Sequence, residues 1–232
     1  MQNVIFEHLG TLSYKKGWEY QQEIFDRIFD VKKQNRELEE QKQLPTPNYL
    51  LFCQHNPVFT LGKAGSIDNL LLSEKELDEK GIEYFEINRG GDITFHGLEQ
   101  LVGYPILDLM NFKQDLHWYF RELEEVIIQT MQTYNLDAGR VEGLTGVWID
   151  PNSDNPRKIC AIGIRASRWI TMHGFALNVN TDLSYFDLII PCGITDKGVT
   201  SLEKELGEKI DMKEVEERVK TQFEKRFGVK II

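Results

Sequence analysis

Apolar residues recur at helical spacing in two long segments of the chain, and each such face predicts a helix packed against a hydrophobic core. The first segment follows a short predicted strand at residues 4–9, and Ser13 stands where a helix N-cap is expected. Its apolar face comprises Tyr14, Trp18, Phe25, Ile28 and Phe29. The second helix is predicted over residues 116–134, with one face formed by Leu116, Phe120, Leu123, Ile127 and Met131.

Apolar runs bounded by turn residues predict the strands. A buried strand is predicted at residues 49–53, and another at 82–87 leads directly into RGGDITFHG. Three further segments are separated only by turn-rich stretches and predict an antiparallel meander: GVWID, KICAIGIR and WITMHGFALNV. By contrast, the prolines and glycines in NPVFTLGKAG predict a loop there.

Shorter helices are predicted among these strands. Ser73 followed by Glu76 is a capping-box signature for a helix in SEKELDEK, which Gly81 would end. The polar stretch KKQNRELEEQKQ predicts a solvated helical tail or loop, and two short helices near residues 201–206 and 213–227 close the chain. Because no regular βαβ alternation appears, we expect an α+β fold. It would be a single domain over residues 1–232, with a mixed, mostly antiparallel sheet flanked by helices.

Charge and composition narrow the class of protein. The formal net charge is −10, from 27 Lys and Arg against 37 Asp and Glu, which argues against nucleic acid as a partner. No apolar run approaches the roughly 18 residues of a transmembrane helix, and the N-terminus lacks a signal-peptide pattern. The three widely spaced cysteines predict reduced thiols. We therefore expect a cytoplasmic protein that does not bind membranes.

Residues 89–96 form the first segment with chemical character. Paired glycines after a strand allow the backbone to approach a ligand closely, and Arg89, Thr94 and His96 would surround that ligand with polar groups. A hairpin with two turn glycines and a surface arginine explains the same residues, so this segment alone leaves both interpretations open.

Lys158 begins the second segment, the predicted strand KICAIGIR. Side chains alternate along a strand, so Lys158 would share a face with Cys160 and Ile162. Burial there would favour a neutral amine that accepts protons, whereas a nearby thiolate would favour the ammonium form. The alternative is a lysine at a strand end whose amine reaches solvent.

Cys192 is the candidate nucleophile. It stands between Pro191 and Gly193, as expected of a rigid turn, whereas Cys53 and Cys160 lie within apolar runs typical of buried cysteines. The thiolate is the reactive form, so such a cysteine needs an accessible position and a nearby cation. An inert loop cysteine is the alternative interpretation.

Taken together, these segments resemble the lipoyl(octanoyl) transferases, the octanoyl-[acyl-carrier-protein]:protein transferases of lipoate synthesis, from about residue 49 to 202. The family pattern R-G-G-x-x-T-[FY]-H-G-x-x-Q-x-V-x-Y-P-[IL] is matched by Arg89, Gly90, Gly91, Thr94, Phe95, His96, Gly97, Gln100, Val102, Tyr104, Pro105 and Ile106. The later patterns follow in order at Lys158, Ile159, Ala161 and Gly163, at His173, Gly174, Ala176 and Asn178, and at Pro191, Cys192 and Gly193. The chain departs from the family at Leu98-Glu99, where Pro-Gly is common, which predicts an altered loop.

The resemblance implies the fold of lipoate and biotin ligase catalytic domains and a Cys/Lys acyltransferase. Cys192 would form a thioester acyl-enzyme, and Lys158 would activate its sulfur. Octanoyl-acyl carrier protein would be the donor, and the acceptors would be lipoyl domains of 2-oxoacid dehydrogenase complexes and the glycine cleavage H protein. The acyl substrate would contact Arg89, Gly90, Gly91, Asp92, Ile93, Thr94, Phe95, His96, Ala161, Ile162, Gly163, His173, Gly174, Phe175 and Ala176.

The implied chemistry exchanges a thioester for an amide, which is downhill, so we expect neither a cofactor nor a metal. Backbone N–H groups near Gly163 and Gly174 are the expected donors to the oxyanion, because glycine permits close approach. Because the chain has a net charge of −10, an acidic carrier protein would have to bind at a local cluster of positively charged side chains.

The sequence is also compatible with other functions. An ATP-dependent lipoate ligase shares the implied fold, although no phosphate-binding glycine loop is evident. A transferase that moves octanoyl or lipoyl groups between two proteins is another candidate. A zinc site made of His96, His173 and Cys192 is disfavoured because the sequence offers no close ligand pair. A purely structural binding module would have no need for Lys158 and Cys192 together.

Overall fold

A computed structural model describes residues 2–190 and 198–232. The helices are α1 (Tyr14–Asn35), α2 (Glu74–Lys80), α3 (Leu116–Gln132), α4 (Leu202–Leu206) and α5 (Met212–Phe227). The strands are β1 (Gln2–Leu12), β2 (Tyr49–His55), β3 (Val58–Leu61), β4 (Glu83–Glu86), β5 (Ile93–His96), β6 (Gln100–Ile106), β7 (Ala138–Gly139), β8 (Val147–Ile149), β9 (Arg157–Ser167), β10 (Ile170–Asn178), β11 (Gly198–Val199) and β12 (Val229–Ile231). None of the described helices is both long and apolar enough to cross a bilayer.

The strands form a large and a small sheet. The large sheet has the order β12-β1-β2-β6-β10-β9-β8-β7, with β11 added beside β9, and the small sheet has the order β4-β3-β5. The pairs β1–β12, β1–β2, β3–β4 and β9–β11 are parallel, and the other pairs are antiparallel. This arrangement confirms the predicted α+β class with a mixed, mostly antiparallel sheet.

Helices cover both faces of the large sheet. On one face, Ile24, Phe25 and Ile28 of α1 pack against apolar side chains of β2, β6 and β10. On the other face, α3 and α5 bury their apolar sides against the sheet in the larger core. Burial of a helix's apolar stripe against a sheet is the main stabilising contribution in such layered folds.

The predicted helix caps are present. The Ser13 hydroxyl accepts a hydrogen bond from the Lys16 N–H at 3.4 Å, and α1 ends at Asn35. The polar stretch beyond it forms only a 3₁₀ turn, at Glu40–Lys42. Helix α2 has the full capping box between Ser73 and Glu76 and ends at Gly81.

The loop predicted in NPVFTLGKAG is wrong in part, because β3 occupies its centre. All four residues of Val58–Leu61 are buried, since β3 is the middle strand of the small sheet, with β4 on one side and β5 on the other. Pairing on both sides stabilises a strand of four residues that its flanking proline and glycine argue against.

A register shift in β9 overturns the predicted orientation of Lys158. Val147 pairs with Cys160 and Trp148 pairs with Lys158, so three residues of β9 oppose two of β8. This β-bulge places Lys158 on the face of Trp148 and Cys160 on the face of Val147. Cys160 therefore lies in the core beneath α3, and Lys158 does not share a face with Cys160 and Ile162.

Candidate active site

A cavity opens between β5 of the small sheet and the neighbouring strands β6, β10 and β9 of the large sheet. Its empty space, open mouth included, is about 980 Å³. Its apolar lining is formed by Ile93, Val102, Trp148, Ala161, Ile162, Phe175, Ala176, Phe186 and Val199. Such a lining suits an aliphatic ligand.

Lys158 is half-buried and lines this cavity. Its Nζ lies 4.7 Å from the centroid of the Trp148 ring, a distance at which an aromatic face attracts a cation. Val199 of β11 pairs with Lys158, and the Thr200 N–H donates to the Lys158 carbonyl oxygen at 3.0 Å. Cys192 lies outside the described residues, and the chain that follows it returns to the sheet beside Lys158.

Arg89 is buried under the cavity, with 7% of its surface exposed. Its guanidinium donates to the Gly90 carbonyl at 2.9 Å and to the carbonyl and hydroxyl of Thr60 at 2.7 and 2.9 Å. These bonds tie residues 89–90 to the small sheet. Arg89 is therefore a buried structural cation of the cavity wall, contrary to the surface arginine of the hairpin interpretation.

Gln100 organises a chain of buried polar groups. Its Nε2 donates to the Phe95 carbonyl at 3.1 Å and to Asn178 Oδ1 at 2.9 Å. The Asn178 Nδ2 donates in turn to the Thr200 carbonyl at 3.0 Å. Because Thr200 also bonds to the backbone of Lys158, this chain links the wall of the cavity to the strand that bears the lysine.

The same bonds fix the tautomer of His96. The Oε1 of Gln100 is left as an acceptor, so the His96 Nδ1 at 3.0 Å carries the proton. The His96 Nε2 then accepts from the Thr60 hydroxyl at 3.4 Å. Burial lowers the pKa of His96 to about 3, with His55 and Arg89 adding repulsion. His96 is therefore a neutral positioning group at physiological pH and not an acid.

His173 differs from His96 because neither of its ring nitrogens has a hydrogen-bond partner among the described residues. Only 2% of its surface is exposed, it lines the cavity, and its backbone is left-handed with φ 60°. Its N–H is held by Gln21 Oε1 of α1 at 2.8 Å. Burial, followed by the charges of Arg89 and Arg165, lowers the pKa of His173 to about 3. His173 is thus a neutral imidazole of the cavity wall whose buried ring nitrogens are not satisfied by any described residue.

Gly163 and Gly174 face each other in the β9–β10 pair and both line the cavity. A Cβ on Gly163 would lie 2.9 Å from Arg89 Cδ and from the Gly90 oxygen, so glycine is needed for the close approach of residues 89–90. The role of Gly163 and Gly174 as oxyanion donors stays a prediction, because Cys192 lies outside the described residues.

The structure brings most of the predicted substrate-binding residues together. Those that line the cavity are Arg89, Gly91, Asp92, Ile93, Thr94, His96, Ala161, Ile162, Gly163, His173, Gly174, Phe175 and Ala176. Gly90 does not line it, and Phe95 points into the core of the small sheet, where it stacks on Tyr185 at 4.4 Å. Contact of these residues with a substrate stays a prediction.

Several lining residues were not predicted as site residues. Tyr14 belongs to the apolar face that predicts α1 and its packing in the core, yet it lines the cavity. Trp148 could not be predicted as a lining residue, because the bulge in β9 makes Lys158, and not Ile159, its partner. Gln100, Val102, Tyr104 and Asn178 belong to the family patterns, which are the available signal. The other unpredicted lining residues are Thr145, Phe186, Gly198 and Val199.

The departure at Leu98-Glu99 lies in the turn between β5 and β6. Glu99 has a positive φ of 57°, its N–H donates to Gln54 Oε1 at 2.7 Å, and its carboxylate pairs with Lys209 at 2.6 Å. The Leu98 side chain is exposed, and neither residue lines the cavity.

Within residues 2–190 and 198–232, no cluster of three acidic, histidine or cysteine side chains could hold a metal ion.

Comparison with known proteins gives a consistent result. The family model of the lipoyl protein ligase A/B catalytic domain matches residues 17–224. A protein of Flavobacterium johnsoniae named octanoyltransferase is 56% identical over 97% of this chain and 97% of its own length. Another of that name, from Parabacteroides distasonis, is 46% identical over 98% of this chain and 100% of its own.

Solved structures agree on the fold. A bipartite lipoate protein ligase from Thermoplasma acidophilum matches with a TM-score of 0.73 at 16% identity, over 100% of this chain and 86% of that one. A lipoate-protein ligase A bound with ATP matches with a TM-score of 0.68 at 16% identity, over 100% and 88%. At such identities the likeness shows a shared fold alone.

Proposed function

The chain belongs to the lipoyl protein ligase A/B catalytic domain family and is an octanoyltransferase of lipoate biosynthesis, and we propose that it works through a thioester on Cys192, with Lys158 activating the sulfur. The whole chain would act as one catalytic domain. Octanoyl-acyl carrier protein would be the donor, and lipoyl domains of 2-oxoacid dehydrogenase complexes and the glycine cleavage H protein would be the acceptors.

The position of Lys158 is the observation on which the proposal rests. Its half-buried side chain lines a largely apolar cavity. Strand β11 follows the segment that contains Cys192, and Val199 of β11 pairs with Lys158. The other two thiols are unsuitable as nucleophiles, since burial raises the pKa of both Cys53 and Cys160. Cys192 is the remaining thiol of the chain.

In the first half-reaction, Lys158 would take the thiol proton of Cys192 and leave a thiolate. The thiolate attacks the carbonyl carbon of the donor thioester, a C–S bond forms to Cys192, and the C–S bond to the carrier breaks. The ammonium of Lys158 returns its proton to the departing carrier sulfur. The products are the acyl-enzyme, the carrier thiol and a neutral Lys158.

In the second half-reaction, the neutral amine of Lys158 would act as a general base. The lysine amine of the acceptor attacks the acyl-enzyme carbonyl, and an amide bond forms as the C–S bond to Cys192 breaks. Lys158 accepts the proton that the acceptor amine loses. The thiolate and the ammonium are thereby restored, and no co-reactant is consumed.

Intact-mass measurement after incubation with octanoyl-acyl carrier protein tests this proposal. We expect the protein to gain one octanoyl group and the Cys192→Ser variant to gain none. Cys53→Ala is the matched control, because it removes a buried thiol and should leave adduct formation unchanged. An adduct on Cys192→Ser would contradict the assigned nucleophile, and lipoylation that needs ATP but no carrier would identify a ligase instead.

A further inference from the structure

Helix α3 contains a buried carboxylate that the reaction does not use. Glu124 is fully buried, and its neighbours along the helix, Leu123, Val126 and Ile127, pack into the apolar core. Removing a carboxylate from water is expensive, and a buried ion pair is weak support for stability on its own. The position of Glu124 therefore calls for another explanation.

The two oxygens of Glu124 serve different partners. Oε2 accepts from Arg121 Nη1 and from Arg140 Nε, both at 2.7 Å, which balances the carboxylate charge. Oε1 accepts from the backbone N–H of Gly146 at 3.2 Å. One side chain thus connects two cations to the chain segment that precedes β8.

The backbone conformation at residue 146 and its close approach to β9 both require glycine. Its φ is 89°, and an added Cβ would lie 2.4 Å from the Cys160 carbonyl oxygen. The segment continues into Trp148, whose Nε1 donates to the Thr145 carbonyl at 3.3 Å. Thr145 and Trp148 both line the cavity, and the Trp148 ring lies under the Nζ of Lys158.

We propose that Glu124 is a positioning residue that holds residues 145–148, and through the Trp148 ring the Lys158 amine, at the wall of the acyl cavity. This inference rests on the proposed role of Lys158. It explains why a carboxylate is kept inside an apolar helix face, since a hydrophobic side chain could fill the space but could not accept the Gly146 N–H.

Glu124→Gln separates the two roles of the carboxylate. The amide of glutamine has an NH2 donor in place of one carboxylate oxygen, and that donor would face either the Gly146 N–H or the arginines, so only one of these two sides keeps its acceptor. Glu125→Gln is the matched control, because Glu125 contacts the same Arg140 at 2.9 Å and has no contact with Gly146. Both substitutions remove one charge from adjacent positions of one helix.

Two measurements on the whole protein test the inference. Single-turnover acylation by octanoyl-acyl carrier protein gives a rate constant and an amplitude, and we expect Glu124→Gln to lower the rate constant about 10- to 100-fold. The amplitude and the apparent affinity for the carrier should change little, whereas simple destabilisation would lower the amplitude. NMR should show faster amide hydrogen exchange at Gly146 in Glu124→Gln, and Glu125→Gln should match the wild type in both measurements.

A rate constant in Glu124→Gln equal to that of Glu125→Gln would overturn the inference, even if exchange at Gly146 became faster. If Glu124→Gln does not fold, Arg121→Gln replaces it, because that partly exposed side chain contacts Glu124 and not residues 145–148. It should also slow acylation more than Glu125→Gln does. A wild-type protein without an octanoyl adduct would instead contradict the proposed function, and equal Gly146 exchange in Glu124→Gln and Glu125→Gln would then overturn the proposed hold of Glu124 on residues 145–148.

Discussion

At the scale of single residues, the site depends on neutral polar groups with fixed orientations. Gln100 bonds to Asn178 and His96 in a way that leaves each amide and imidazole one consistent assignment of donors and acceptors. Buried networks of this kind specify one arrangement when every member is satisfied. Asn178 is the member that connects the network to Thr200 and so to the Lys158 strand.

Asn178→Asp should therefore impair transfer as well as stability. An aspartate cannot donate to the Thr200 carbonyl, so we expect a loss of about 1–3 kcal/mol in the free energy of unfolding and slower acylation of the folded protein. Asn180→Asp is the control, because Asn180 is also buried and donates to the Ile210 carbonyl at 2.9 Å away from the cavity. Urea unfolding and single-turnover acylation would be measured on both, and equal acylation rates would contradict the role assigned to Asn178.

The sequence predicts the chemistry of individual residues better than their partners. The pattern around residues 89–96 indicates a ligand site, and most of those residues do line the cavity. Phe95 does not, because strand alternation sends it into the small sheet. The burial of Arg89 against Thr60 could not be predicted, because it depends on contact between segments far apart in the chain.

At the scale of elements, the bulge in β9 decides what Lys158 can do. With regular alternation the lysine would point into the core beside Cys160, whereas the register shift turns it towards the cavity. Alternation along a strand is a local rule, and the extra residue is set by pairing with β8, which the sequence does not display. The helices were predicted more closely, since their caps and apolar faces are local features.

Substitution of Lys158, on the cavity side of the bulge, should lower activity, whereas substitution of Cys160, on its core side, should lower stability. Lys158→Met keeps an unbranched side chain one atom shorter and removes the amine, so we expect acylation to fall about 100-fold or more with little change in unfolding. Cys160→Ala should destabilise the protein by about 1 kcal/mol and leave the acylation rate of the folded protein unchanged. Mass spectrometry and thermal unfolding check both expectations. Normal acylation by Lys158→Met would show that the amine at the cavity is not needed.

At the scale of the whole molecule, three buried histidines couple stability to pH. Burial is the main cause that lowers the pKa of His55 to about 4 and those of His96 and His173 to about 3. In the unfolded chain an imidazole titrates near pH 6.5. Between these values the unfolded state binds protons that the native state does not, so stability falls as the pH drops below about 6.5.

The expected slope is at most about 1.4 kcal/mol per pH unit for each of these histidines. Urea unfolding at pH 7 and at pH 5 should show a lower midpoint at pH 5, with an unchanged m value. NMR titration should find the His96 and His173 rings neutral throughout this interval. Equal midpoints at the two pH values would contradict the proposed coupling.

The fold class was predictable because strands, turns and helices succeed one another without βαβ alternation. The division into two sheets was not, since the proline and glycine that flank β3 predict a loop, and the cavity lies where the small sheet meets the large one. The location of a site between two sheets depends on their packing, and hydrophobic periodicity describes each segment separately.

The extra residue in β9 also limits how this arrangement can be rebuilt. If residues 158–162 were transplanted onto a regular β-strand of another scaffold with Cys160 and Ile162 facing its interior, the lysine amine would be buried with them. A designer would have to copy the irregularity together with the side chains.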